Sequence, residues 1–274
     1  KPGNERVRKI AERLISDMYK TIVDYDVTHE EMWAFLKWLN TLGAANQSGL
    51  LAAGIGIERL LDILADEKDI KEGRPVGSTA RAIEGPLYVP GAPIIKRFGR
   101  MDDGTEYDQA EPLVMEGHVF DIDGNPIAGA IVDAWHANLK GTYSIIDPTQ
   151  TPYNNRRRIE TDKEGYYGFR SFVPPGYWVP EDSPTQVVLD LLGRHGHRPA
   201  HIHFMVSGPG LEELTTQINI PGDKYLNDDF AFATRDSLIV NLVKVNDPKE
   251  IEKYGMGRPF TKITFDFKLQ KAKK

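Results

Sequence analysis

The feature that most constrains the fold of this chain is a change of periodicity near residue 72. Before it, apolar residues recur every three or four positions. Beyond it they alternate every second position, between turns rich in glycine and proline. Those two periods belong to a helix stripe and a strand face, so the chain reads as a helical segment followed by a β domain. Val7, Ile10, Leu14, Met18 and Ile22 predict a helix over 5–24. Thr28 followed by Glu31 has the spacing of a capping box, opening a second helix through Met32, Phe35, Leu36 and Leu39 that stops near Gly43. A third helix is expected over 50–64. Its small residues, Ala52, Ala53, Gly54 and Gly56, weaken it by about 1 kcal/mol per glycine and suggest close approach of another segment.

Strands are expected at 113–120, 130–136, 157–161, 166–173, 200–206, 214–220 and 262–269. One helix interrupts them, with Ser183 as cap, Pro184 at its first position and Gly193 as its stop. The stretch 85–93, with three prolines and two glycines, is expected to cross the surface without regular structure and to line something. The predicted fold is mainly β: an N-terminal α-helical domain over 1–72 and a β-sandwich over 73–274. Three amphipathic helices leave much apolar surface. They form either a bundle of their own or an interface between two subunits, and the amount of surface favours the interface.

A formal net charge of −6 argues against nucleic acid as a partner. With no cysteine, the chain has no disulfide, no thiolate nucleophile and no sulfur ligand for a metal. No apolar run reaches the ~20 residues of a membrane span. The first residues lack a secretory pattern, and a cytoplasmic location is expected.

Chemistry concentrates in residues 195–206. Ile202, Phe204 and Val206 mark a strand, so His201 and His203 project from one face and can grip one metal ion. Two histidines on a strand can equally be core residues with satisfied hydrogen bonds, and only further ligands decide between the readings. Tyr143, in Gly141-Thr142-Tyr143-Ser144, and Tyr177, after Pro174-Pro175-Gly176, stand in settings that can present a side chain in a fixed direction, although a tyrosine by itself is more often a packing residue. Two imidazoles and two phenolates suit Fe(III) better than zinc or copper(I). A phenol with a pKa of about 10 ionises at neutral pH only beside a strong Lewis acid.

Asp133-Ala134-Trp135-His136-Ala137-Asn138 with Gly141-Thr142-Tyr143-Ser144, then Arg156-Arg157-Arg158-Ile159, Pro175-Gly176-Tyr177, Gly193-Arg194-His195-Gly196 and Arg198-Pro199-Ala200-His201-Ile202-His203-Phe204, resemble the intradiol ring-cleavage dioxygenases, in order and over nearly the whole chain. The resemblance is to the branch that cleaves catechol with O2 to cis,cis-muconate in aromatic compound degradation. It implies one non-haem Fe(III) per subunit, held by Tyr143, Tyr177, His201 and His203, with Tyr177 also serving as a proton acceptor. It implies Arg198 and Gln217 beside the substrate, and Leu50, Ala53, Ile83, Pro86, Phe230 and Ala231 around the ring. It further implies a homodimer joined through the N-terminal helices, with a phospholipid between them. Hydroxyquinol or chlorocatechol cleavage by the same chemistry is the alternative. A non-catalytic sandwich that binds a metal or a lipid is a more distant one.

Overall fold

The computed structural model describes residues 3–273. The chain divides into two compact units between Gln47 and Ser48. In the first, helix α1 (Glu5–Asp24) starts where the Asn4 side chain accepts the Val7 N–H, and α2 (His29–Ala44) carries the Thr28/Glu31 capping box. Its Thr28 N–H donates to Glu31 Oε2 at 2.8 Å and the Glu31 N–H to Thr28 Oγ1 at 3.2 Å. No α1 side chain is buried, and the stripe from Val7 to Ile22 is exposed.

The single helix expected over 50–64 is two helices, α3 (Ser48–Gly54) and α4 (Ile57–Lys71). They part at Gly56, whose φ of 79° lies in the left-handed region that only glycine enters freely. The glycines of this stretch serve the chain's own packing: a Cβ on Gly54 would sit 3.0 Å from the Phe230 ring. Arg81 adds ion pairs to Asp66 and Asp69 of α4, at 2.6 and 2.5 Å. These contacts tie α3 and α4 to loops of the β domain, and the compact unit that contains the sheets begins at Ser48.

The second unit is a sandwich. One sheet orders β1 (Ile94–Lys96), β5 (Arg156–Glu160), β4 (Ile131–Trp135), β9 (His201–Ser207) and β10 (Leu214–Asn219). The other orders β11 (Val243–Val245), β12 (Phe260–Thr264), β3 (Pro112–Asp121), β6 (Tyr166–Phe172) and β2 (Phe98–Arg100). Alternate residues of both sheets meet in one core: Val132, Ile159, Ile202, Phe204 and Ile218 from the first, and Leu113, Met115, Phe169 and Ile263 from the second. The strand expected over 262–269 is interrupted. β12 ends at Thr264, and β13 (Phe267–Leu269) resumes beside β3 in the same register. At the break, Gly117 of β3 admits the Phe265 carbonyl, and the Asp266 side chain, not a backbone carbonyl, accepts the His118 N–H at 2.8 Å.

A two-stranded ribbon, β7 (Tyr177–Trp178) with β8 (His197–Arg198), pairs Tyr177 with Arg198. Helix α5 (Pro184–Leu191) lies between them in sequence, with Ser183 Oγ accepting the Gln186 N–H as expected. The last helix, α6 (Pro248–Tyr254), was not anticipated. Among the described residues no helix is long and apolar enough to cross a membrane.

Candidate metal centre

Strand alternation brings His201 and His203 together at the start of β9. Their Nε2 atoms are 3.1 Å apart and both rings are buried. The His201 Nδ1–H donates to the Pro199 carbonyl at 2.6 Å, which leaves the Nε2 lone pair free to bind a cation. The His203 ring stacks on Trp135 at 4.9 Å with an interplanar angle of 4°, and the Tyr88 ring also packs on the indole at 5.0 Å. Burial, then the Arg198 charge, pushes His201 down to about 3. Burial, His201 and Arg198 hold His203 well below its ordinary range. Both imidazoles are therefore neutral ligand bases at physiological pH.

Tyr143 lies in the turn that follows β4, and Tyr177 on β7 meets it edge to face with ring centroids 5.8 Å apart. Tyr177 is in turn 5.6 Å from the His201 ring. Their approach depends on Gly141, where φ is 75° and a Cβ would fall 2.5 Å from that of Tyr177. The Tyr143 hydroxyl is buried, with no hydrogen-bond partner other than the adjoining Tyr177 phenol. Burial, then the neighbouring Tyr177 phenol, holds its pKa well above the ordinary value.

Arg198 faces this group from β8. Its Nη1–H groups point at His201 Nε2 and His203 Nε2, 3.0 and 3.3 Å away. Its other edge is clamped by Asp229, with Nε to Oδ1 at 3.2 Å and Nη2 to Oδ2 at 3.0 Å, while Nη2 also reaches Gln217 Oε1 at 2.7 Å. Burial alone would lower the arginine pKa, but Asp229, followed by Tyr177, outweighs it and the guanidinium is firmly cationic. Gln217 stands opposite His203 in the β9–β10 pairing and donates to Asn219 Oδ1 at 3.0 Å.

Leu50, Ala53, Ile83, Pro86, Phe230 and Ala231 come together as well. With Tyr177, Arg198 and His203 they line a narrow cleft of about 300 Å³, counting its open mouth. A larger cleft near Asp66, Asp69, Arg74, Arg81 and Glu212 contains none of these groups, and its charges pair with one another.

The donors fit a hard trivalent ion. Among the described residues no cluster of three or more histidines and carboxylates could hold a metal, so a centre on this chain must recruit other donors. Two converging imidazole lone pairs already face a cation, the Tyr177 phenol lies beside His201, and the Tyr143 phenol packs on Tyr177. Several neighbours escaped the sequence reading. Asp229 is the anion that any buried arginine requires, and it directly precedes Phe230. Trp135, Glu84 and Leu87 also border the site, but a ring stack or a cleft wall has no mark in sequence.

A family model described as Dioxygenase matches residues 83–271, and one described as Catechol dioxygenase N terminus matches residues 4–73. The catechol 1,2-dioxygenase of Pseudomonas sp. (strain EST1001) is 49% identical over 97% of this chain and 88% of its own length. Catechol 1,2-dioxygenase 2 of Acinetobacter lwoffii is 55% identical over 86% of this chain and 85% of its own. The crystal structure of wild-type Acinetobacter radioresistens catechol 1,2 dioxygenase superposes with a TM-score of 0.97 at 48% identity, covering 100% of this chain and 88% of that one. With both segments matched and about half of all positions identical over almost its full length, the chain belongs to the intradiol dioxygenase family.

Proposed function

We propose that this intradiol dioxygenase takes catechol and O2 and opens the ring between the two hydroxylated carbons, giving cis,cis-muconate. The family uses non-haem Fe(III). Here one ferric ion per subunit is assigned to Tyr143, Tyr177, His201 and His203. The observation that carries the reading is the packing of His201, His203, Tyr177 and Tyr143 against one another, with His203, Tyr177 and the buried Arg198 exposed to a narrow cleft. A ferric ion held by these four residues would supply Lewis acidity that favours ionised phenols at neutral pH.

The residues divide the remaining work. Catechol must lose two protons to chelate. Tyr177 borders the cleft, whereas Tyr143 is sealed from it, so Tyr177 is the phenolate placed to accept one of them. Arg198, fixed by Asp229 and Gln217, keeps its charge throughout and stabilises the negative charge that develops on the substrate. Leu50, Ala53, Ile83, Pro86, Phe230 and Ala231 hold the ring and exclude water, and the small Ala53 leaves room for a ring substituent.

Oxygen uptake with catechol, together with the growth of muconate absorbance, tests the reading. A metal-replete protein that is colourless and inert towards catechol overturns it. A panel with hydroxyquinol and chlorocatechols decides between the substrates. The exposed stripe of α1 supports a homodimer formed through the N-terminal helices with a phospholipid between them. Light scattering and lipid extraction of the purified protein test that assembly, and a lipid-free monomer refutes it.

A further inference from the structure

Arg156, the first residue of β5, is only 2% exposed, yet among the described residues its guanidinium bonds no carboxylate. Its Nε–H reaches the Ser144 hydroxyl at 3.2 Å, but both terminal amino groups are buried without a hydrogen-bond partner. A guanidinium does not shed its proton to escape burial, so this charge needs an anion. Asp133 acts on it through space without contact. The group in contact is Tyr143: the Arg156 Cζ lies 5.6 Å from the centroid of that ring, and the Tyr143 hydroxyl is itself buried with no partner but the Tyr177 phenol. A buried cation without an ion pair and a buried phenol that can become an anion are thus packed together out of water.

We infer that Arg156 is a positioning residue for Tyr143, its fixed charge balancing the tyrosinate that forms when the metal binds and setting the energy at which that tyrosinate gives up electron density. This inference rests on the ligand assignment above. A nearby positive charge lowers the phenolate's occupied orbitals, so a larger quantum is needed to move an electron from them to a ferric ion. While the phenol is neutral, the same charge has only Asp133, which makes no hydrogen bond to it, to offset its burial. Arg156 therefore costs stability in the metal-free protein and adds to it in the ferric one, a change of sign that a packing residue does not produce.

The test compares Arg156→Gln and Arg156→Lys with the parent, each metal-free and loaded with ferric iron. Arg156→Gln is expected to move the visible charge-transfer band to longer wavelength and to narrow the rise in Tm on iron loading. Arg156→Lys, which keeps the charge, should return the band most of the way. An unmoved band in iron-loaded Arg156→Gln overturns the inference, as does an equal fall in Tm with and without iron, or failure of that variant to fold in either state. Tyr143→Phe separates the two readings. If the parent has no visible band, or Tyr143→Phe leaves it unchanged, the ligand assignment fails. If Tyr143→Phe changes the band and Arg156→Gln does not, only the role of Arg156 fails.

Discussion

Individual residues set the geometry of the metal centre, and the finest tolerance is at Gly141. An alanine there meets both an unfavourable φ of 75° and the Tyr177 Cβ at 2.5 Å, so β7 must shift. Displacement of a reacting group by about 1 Å costs on the order of 100-fold. Gly141→Ala is expected to lose about that much in kcat/KM for oxygen uptake, with the iron retained and its colour altered. Unchanged turnover would remove the Tyr143–Tyr177 contact from the reaction. Asp229 raises a different issue. Asp229→Ala strands the buried Arg198 cation, for a loss of about 3–5 kcal/mol in a urea melt, whereas Asp229→Asn keeps a hydrogen-bond acceptor and should lose less. His201 and His203 were legible in sequence because a strand repeats every two residues. Asp229 was not, since the ion pair joins segments 31 residues apart that only tertiary folding brings together. The unpaired state of Arg156 is likewise a property of what surrounds it, not of its sequence neighbours.

At the scale of elements, strong periodicity was read correctly and interruptions were not. Helices α1 and α2 and the caps of α2 and α5 stand where their stripes and capping residues put them. The three-residue strands β1, β2 and β11 are too short for alternation to register, and hydrogen bonds to longer neighbours define them. Gly56, expected inside one helix, is the N-cap that opens α4 two residues after α3 ends. The break between β12 and β13 was invisible because Ile263, Phe265, Phe267 and Leu269 alternate straight through it. Its cause lies on the adjacent strand, where a Cβ on Gly117 would fall 1.8 Å from the Phe265 carbonyl oxygen. Backbone cannot yield as a side chain can. Gly117→Ala should therefore lower unfolding free energy by about 3 kcal/mol, read from a shifted denaturation midpoint. A midpoint within error of the parent would mean that β3 and the 265–266 segment separate freely.

For the molecule as a whole, stability against pH depends on two buried groups three residues apart at the end of β4, and they act in opposite senses. Asp133 accepts the Tyr88 hydroxyl at 3.0 Å, and burial raises its pKa from 3.8 to about 6. The folded chain then binds that proton more tightly than the unfolded chain does, so the contribution of Asp133 is complete below about pH 4 and is lost as pH rises through 6. His136 sits between the Ala137 carbonyl and the Ser171 hydroxyl, at 2.7 and 2.8 Å, and burial lowers its pKa from 6.5 to about 4. Its contribution is complete above about pH 6.5 and is lost as pH falls through 4. Each is worth about 3 kcal/mol, so between pH 4 and 6.5 the two nearly cancel. Asp133→Asn keeps an acceptor for Tyr88 but removes one side of this balance. Relative to the parent, the variant is expected to gain up to about 3 kcal/mol at pH 7 and to lose that advantage progressively towards pH 4. Urea denaturation of both proteins at half-unit intervals reads the difference directly, since every other titrating group is shared. Parallel stability curves would show that the Asp133 carboxyl is ionised alike in the folded and unfolded chains, and would end this account of the molecule's pH dependence.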